Sequence, residues 1–185
     1  MQQLKLKGKI LVAEPFLEDP NFKRTTVAVC DHNDQDGSVG FILNRPLDME
    51  IMELVDDFPE IEAEVYFGGP VRTDTIHYIH NVGNLLEGST KIIDGLYWGG
   101  DFEKLKFLIK QELVKPENIR FFVGYSGWGE EQLEGELDAR TWLVEDLHPN
   151  YVFKTDPFAL WQQILENKGS TFSVIAQMPE SANLN

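Results

Sequence analysis

Ile119-Arg120-Phe121-Phe122-Val123-Gly124-Tyr125 runs unbroken into Ser126-Gly127-Trp128-Gly129, and then into Glu130-Glu131-Gln132-Leu133-Glu134-Gly135-Glu136-Leu137. The first seven residues are apolar on both faces apart from Arg120 and Gly124. A strand with one wet face alternates with period two, so this run reads as a central strand covered on both sides. The glycines and aromatics that follow are expected to end that strand in a turn, with Trp128 in the turn itself. Leu133 and Leu137, four apart, put one apolar stripe on an acidic helix. Such a strand–turn–helix junction is a natural place for a binding site.

Outward from this junction, Lys9–Ala13 and Thr25–Cys30 read as strands, the second rich in β-branched residues. The polar loop Asp31–Ser38 leads into a third, Val39–Leu43, which Asn44-Arg45-Pro46 terminates. Asp48–Phe58 has Met49, Met52 and Val55 at helical spacing, closed by Pro59. Glu64–Phe67 is a strand stopped by Gly68-Gly69-Pro70, and Thr75–His80 is another. Lys91–Ile93 and Leu96–Trp98 flank Asp94-Gly95, a two-residue hairpin link. Asp101 caps a helix with Phe102, Leu105, Leu108, Ile109 and Leu113 on one face. Arg140–Glu145 is a strand. Asp156-Pro157 opens a helix with Phe158, Trp161, Ile164 and Leu165 inward, Gly169 stops it, and Thr171–Ala176 reads as a last strand. About eight or nine strands and four helices in this mixed order make an α+β fold, not an alternating α/β one.

The 185 residues suit a single domain over 1–185. Hydrophobic residues make up 42% and charged ones 25%, the proportions of an ordinary globule. The single cysteine, Cys30, can form no internal disulfide, which suits a reducing cytoplasmic setting. The lysine-rich N-terminus precedes only Ile10–Ala13 before Glu14-Pro15. A secretory segment needs about 7–15 apolar residues and a membrane helix about 20, so neither is expected. Thirty-one acids against sixteen bases give a net charge of −15. DNA binding draws its affinity from Lys and Arg on phosphates, so this balance argues against a direct grip on nucleic acid.

Gly124-x-Ser126-Gly127-Trp128 departs from the nucleophile elbow G-x-S-x-G at its last position, where an indole would crowd the turn. None of His32, His77, His80 and His148 is selected by spacing as a partner, so Ser126 reads as a turn or helix-entry residue. Glu130 and Glu131 at the helix entry oppose a phosphate there. Asp31-His32-Asn33-Asp34-Gln35-Asp36-Gly37 has calcium-loop character. Its glycine falls one place late and no glutamate closes it, so a plain hairpin loop is expected. His77 and His80 on a strand point to opposite faces, and one cysteine cannot build a thiolate-rich zinc site. No catalytic residue, metal or cofactor is assigned. Glu130, Glu131, Glu134, Glu136 and Asp138 read as a solvated face. Trp98, Trp128, Trp142 and Trp161 read as core anchors, and Trp128 as a lid on the core rather than a pocket wall. Arg45 is expected to pair with a carboxylate for structure in preference to an anionic ligand.

Taken together in order, these motifs resemble the YqgE/AlgH family. The resemblance rests on Gly8–Pro15, Asp19–Thr25 with Val27, Asp31-His32-Asn33, Gly37–Pro46, Val65–Val71, Gly124–Trp128 with Gln132–Leu137, Trp142-Leu143-Val144 and Phe153–Trp161. One departure is Glu131, where the family commonly has Gly; another is Ser38, near which small residues such as Ala are usual. The resemblance implies a branched mixed β-sheet with a small barrel-like portion surrounded by helices. It also implies a cytosolic bacterial protein, an association with transcriptional regulation, and no particular reaction. The expected activity is that of a non-enzymatic binding or regulatory module acting through a small ligand or a protein partner. Its candidate surface is Asn44, Arg45, Gly69, Pro70, Ser126, Trp128 and Gln132, expected to lie together. The alternative is a hydrolase using carboxylates or Ser126, favoured by a pocket bringing His32 or His80 to Ser126 or Glu134.

Overall fold

In the computed structural model, which describes residues 5–33 and 35–179, the strands are β1 (Lys9–Ala13), β2 (Thr26–Asn33), β3 (Gly37–Ile42), β4 (Pro46–Glu50), β5 (Glu64–Phe67), β6 (Val71–His80), β7 (Thr90–Ile93), β8 (Leu96–Trp98), β9 (Ile119–Trp128) and β10 (Trp142–Asp146). The helices are α1 (Ile51–Leu54), α2 (Phe102–Lys110), α3 (Gln132–Asp138), α4 (Pro149–Phe153), α5 (Pro157–Glu166) and α6 (Ser170–Ala176). The strands form one sheet in the order β10-β1-β2-β3-β9-β6-β8-β7, with β5 attached to β9 and β4 to β5. The fold is α+β, as its element order predicts.

The sheet branches at β9. Its first half pairs in parallel with β5 (Tyr66 opposite Phe122) and antiparallel with β6 (Tyr78 opposite Phe121). Its last three residues, Ser126, Gly127 and Trp128, pair with Gly40, Val39 and Ser38 of β3. Three partners for one strand explain its continuous apolar run. Phe121 and Ile119 enter one core cluster, with Leu105, Leu108 and Ile109 of α2. Phe122 enters a second, with Trp161, Ile164 and Leu165 of α5. Trp128 enters a third, with Leu133 of α3 and Trp142 of β10. Strand alternation divides the other strands in the same way: Ile10 and Val12 face the α5 cluster, Leu11 and Ala13 the α3 cluster. Ile119, Phe121 and Phe122 are at most 1% exposed, and each contributes about 1.5–3 kcal/mol by leaving water.

Five expectations are corrected. The glycine-rich segment does not turn after Tyr125: β3 offers it a partner edge, the strand continues through Trp128, and the turn is Gly129–Glu131. Asp48–Phe58 is not one helix. Pro46 and Glu50 pair with Tyr66 and Glu64, leaving a single turn, α1, whose start is held by Glu50 N–H donating to Glu53 Oε1 (2.8 Å). Thr171–Ala176 is helical despite its β-branched residues, because it packs on α5 and sends Phe172 and Ala176, four apart, to the core. Phe158 is 80% exposed, and Leu160 completes the inward stripe of α5 instead. Leu113 is exposed beyond the end of α2, its place taken by buried Val114. The Asp94-Gly95 hairpin and the Asp101 cap are as expected: Gly95 has φ +79°, and Asp101 accepts from the backbone N–H of Lys104 (2.7 Å).

Candidate functional site

The two glycine-rich motifs meet in space. Ser126 is fully buried and its hydroxyl donates to the carbonyl of Gly68 (3.0 Å), which also accepts from Ile42 N–H (2.9 Å). A Cβ on Gly69 would lie 2.4 Å from Ser126 N, and one on Gly124 would lie 2.5 Å from Gly69 O. Gly124 has φ +65°, a conformation L side chains avoid. Glycine is needed here because two backbones cross in contact. Pro70, next in the chain, is exposed.

Trp128 and Trp142 meet edge to face at 6.2 Å, and both are 4% exposed. Their indole N–H groups donate to the same oxygen, Glu136 Oε2, at 2.9 and 2.7 Å. Gln132 donates to Glu136 Oε1 (3.1 Å) and accepts from Gly129 N–H (3.0 Å). Trp128 is thus a core residue, and Glu136 satisfies two buried donors at once. Glu131 precedes α3 with φ +56°, the left-handed value that glycine adopts without strain.

Asn44 and Arg45 serve the preceding loop. Asn44 Oδ1 accepts from Thr26 N–H (2.9 Å) and its amide donates to Arg24 O (2.8 Å). Arg45 donates to Lys23 O (2.6 Å), a backbone carbonyl where a carboxylate partner was expected. Ser126 is thereby joined to Gly69, Trp128 to Gln132, and Asn44 and Arg45 to the 23–26 loop.

His32 Nδ1 lies 2.8 Å from Ser38 Oγ, and its Nε2 lies 3.6 Å from Glu134 Oε1. With Nε2–H facing the carboxylate, Nδ1 accepts the Ser38 hydroxyl hydrogen, a serine–histidine–acid order. Ser38, however, is only 4% exposed. Burial pushes the Cys30 thiol far up, so it stays protonated. His80 is also buried: its Nδ1 accepts from Val82 N–H (3.3 Å) and its Nε2–H donates to Gly99 O (2.8 Å). Burial holds its pKa below the usual 6.5. No group of three or more metal-ligating side chains occurs among the described residues. Asp34 of the calcium-like loop lies outside them, while Asn33, Gln35 and Asp36 close a plain hairpin turn.

Beside a hollow of about 320 Å³ lined by Glu60, Ile61, Glu62, Ile109, Glu112, Val114, Lys115 and Pro116, two more stand out. The larger, about 640 Å³, lies between β10, α4, α5 and α6, but its charged groups are already paired, Glu145 with Lys168 and Asp146 with Lys9. The smaller, about 300 Å³, is lined by Ile76, His77, Tyr78, Gly88, Thr90, Trp98, Gly99 and Gly100. His77 sits among Phe41 (5.2 Å between ring centroids), Tyr125 (5.7 Å) and Trp98 (6.3 Å). Its Nε2 lies 3.0 Å from Thr75 Oγ1, whose own hydrogen goes to Arg72 O (2.7 Å). The hydroxyl can therefore only accept from His77, which carries its proton on Nε2 and leaves Nδ1 as a bare acceptor. Burial and nearby Arg72 lower the His77 pKa, keeping the ring neutral. No motif marks this site in the sequence, because Trp98 reads there as a core anchor and no spacing links it to His77. The one local signal was Gly99-Gly100, whose φ values of +69° and +121° form one wall.

A sequence model of the AlgH-like family matches residues 10–173. The chain is 43% identical to a UPF0301 protein of Chlorobium luteolum over 178 residues, covering 96% of this chain and 94% of the relative. It is 40% identical to a UPF0301 protein of Cytophaga hutchinsonii over 180 residues, 97% and 98% of the two chains. Among solved structures it is similar to the AlgH protein of Pseudomonas aeruginosa, with TM-score 0.75 and 28% identity over 98% of this chain and 100% of that one. A Corynebacterium diphtheriae protein shares the fold at TM-score 0.77 and 18% identity, covering 96% and 95%.

Proposed function

The chain belongs to the AlgH-like family, and from that premise we propose that it is a non-enzymatic, cytosolic binding module that takes a small molecule in the His77–Trp98 hollow. The bound state is passed to a protein partner, which makes any role in transcription indirect. The observation that carries this reading is a hollow lined by His77, whose Nδ1 is an unpaired acceptor, together with Trp98 and positive-φ glycines. A binding site of this kind combines apolar rings with a few polar groups that fix orientation. The surface for the protein partner is drawn from Asn44, Arg45, Pro70 and Gln132. Asn44 and Arg45 are half-buried, Pro70 and Gln132 exposed. Gly69, Ser126 and Trp128 of the same candidate set are buried and take no direct part in it. A metabolite screen read by Trp98 fluorescence and thermal shift, with Trp98→Phe as control, tests this. If no compound acts differently on wild type and variant, the reading fails.

A second reading, a hydrolase, is favoured by the His32–Ser38–Glu134 order. It requires Ser38, 4% exposed, to be reached by substrate. Labelling of Ser38 by a fluorophosphonate, lost in His32→Ala, is the result that would establish it over the binding reading.

A further inference from the structure

We infer that the His77–Trp98 hollow takes an uncharged, flat, one- or two-ring ligand whose edge presents an N–H beside a C=O, as in a lactam or a pyrimidine base. This rests on the binding-module reading and narrows it to a ligand class. The chain has four tryptophans. Three have their indole N–H satisfied within the protein: Trp128 and Trp142 by Glu136, and Trp161 by Ala13 O (2.9 Å). Trp98 has no such partner among the described residues, and it is the one of the four that is not buried. Two of the rings that line the hollow therefore each carry an unpaired group: Trp98 a donor that cannot accept, Nε1–H, and His77 an acceptor that cannot donate, Nδ1.

The two rings stand 6.3 Å apart between centroids, a gap on the scale of one small planar ligand making hydrogen bonds of about 2.9 Å. Flatness follows from the walls. Trp98, His77 and Tyr78 line it with rings, and Gly88, Gly99 and Gly100 line it with backbone alone. None of the lining side chains is a carboxylate, ammonium or guanidinium, and His77 is neutral. A cationic ligand would lose hydration with no counter-charge to replace it, beside the like charge of Arg72. The net charge of −15 opposes anions at long range. At about 300 Å³, the space lies at the small end of the roughly 300–1,000 Å³ range of ligand sites.

The test is a titration followed through the four indole N–H signals by proton–nitrogen NMR, with Trp98→Phe assigning the Trp98 signal. The probes are uracil, 1,3-dimethyluracil and the anion orotate. Uracil should move the Trp98 signal selectively with a Kd of about 1 mM, as befits so small a ligand. Dimethyluracil, which lacks the N–H, and orotate should bind about tenfold more weakly or worse. His77→Phe, which keeps a ring but removes the acceptor, should weaken uracil by a similar factor. The three-probe comparison needs no variant, so an unstable His77→Phe does not remove the test. Equal or tighter binding of dimethyluracil or orotate overturns the ligand class and leaves the hollow as a binding site. So does a Trp98 signal moved only by other compounds of the metabolite screen. A Trp98 signal unmoved by all of them overturns both readings.

Discussion

Gly124→Ala and Gly135→Ala are the same chemical change eleven residues apart, and the structure gives them opposite signs. At Gly124 the φ of +65° costs an L residue about 1–2 kcal/mol. The new methyl would sit 2.5 Å from Gly69 O and 2.9 Å from Val71 O, both backbone atoms that cannot rotate away. Relieving such overlap by backbone shifts costs a further ~1–3 kcal/mol. The lower entropy of an alanine-containing unfolded chain offsets ~0.4–1 kcal/mol of this. The net expectation is a loss of about 2–4 kcal/mol. At about 2–4 °C per kcal/mol for a chain of this size, Tm falls by roughly 5–15 °C. Gly135 lies inside α3, and an added Cβ there meets nothing within 4 Å. Alanine should stabilise it by about 0.5–1 kcal/mol. Urea unfolding followed by tryptophan fluorescence, with m-values compared to exclude a change of mechanism, measures both. A Gly124→Ala protein within about 1 kcal/mol of wild type would refute the claim that crossing backbones dictate this motif.

Glu131→Gly should raise the urea midpoint by the equivalent of about 0.5 kcal/mol, since it relieves a φ of +56° at the cost of some chain entropy; an unchanged or lower midpoint counts against that account. Glu136→Ala strands two indole N–H groups on residues 4% exposed. It should cost about 2–4 kcal/mol, and more than Glu134→Ala measured in the same denaturation series. Stability should also fall on acidification. His77 and His80 both have folded-state pKa values held below the usual 6.5, chiefly by burial. Their contribution is complete above about 6.5 and is lost as pH falls through the depressed folded values. Denaturant midpoints from pH 7.5 down to pH 5 would show this, and His80→Asn or His77→Phe should flatten the slope.

The central strand was legible because being covered on both faces leaves a composition mark: seven residues with scarcely a polar one. Its continuation through Trp128 was not, because glycine and serine carry no strand signal of their own. Only β3, about ninety residues earlier, makes them a strand. The same competition explains α6, where Thr171, Val174 and Ile175 favour a strand locally but no free edge receives them and α5 does. At the site, the motifs that identify the family turned out to be those with the severest packing demands. Gly69, Gly124 and Ser126 are fixed by a backbone crossing whose two halves lie over fifty residues apart. His77 and Trp98 were invisible in sequence for the converse reason. What distinguishes them is a hydrogen bond each does not make, and absence of a partner leaves no pattern in a chain.

The central position of β9 also governs when this protein can fold. Its partners β3, β5 and β6 are all synthesised well before it, and the outer pair β1–β10 joins Lys9 to Asp146, 137 residues apart. At a translation rate of about 5–20 residues per second, β1 is exposed for roughly 7–27 s before β10 exists. Until Ile119–Trp128 leaves the ribosome, the N-terminal two-thirds of the chain is a set of hairpins with unpaired inner edges and no strand to join them. Such a high contact order slows folding and leaves nascent edges open to pairing with other chains. A nascent chain stopped at residue 115 should therefore depend on chaperones and remain protease-sensitive, whereas the 185-residue chain, which adds β9, β10 and the α5 face of the core, should not.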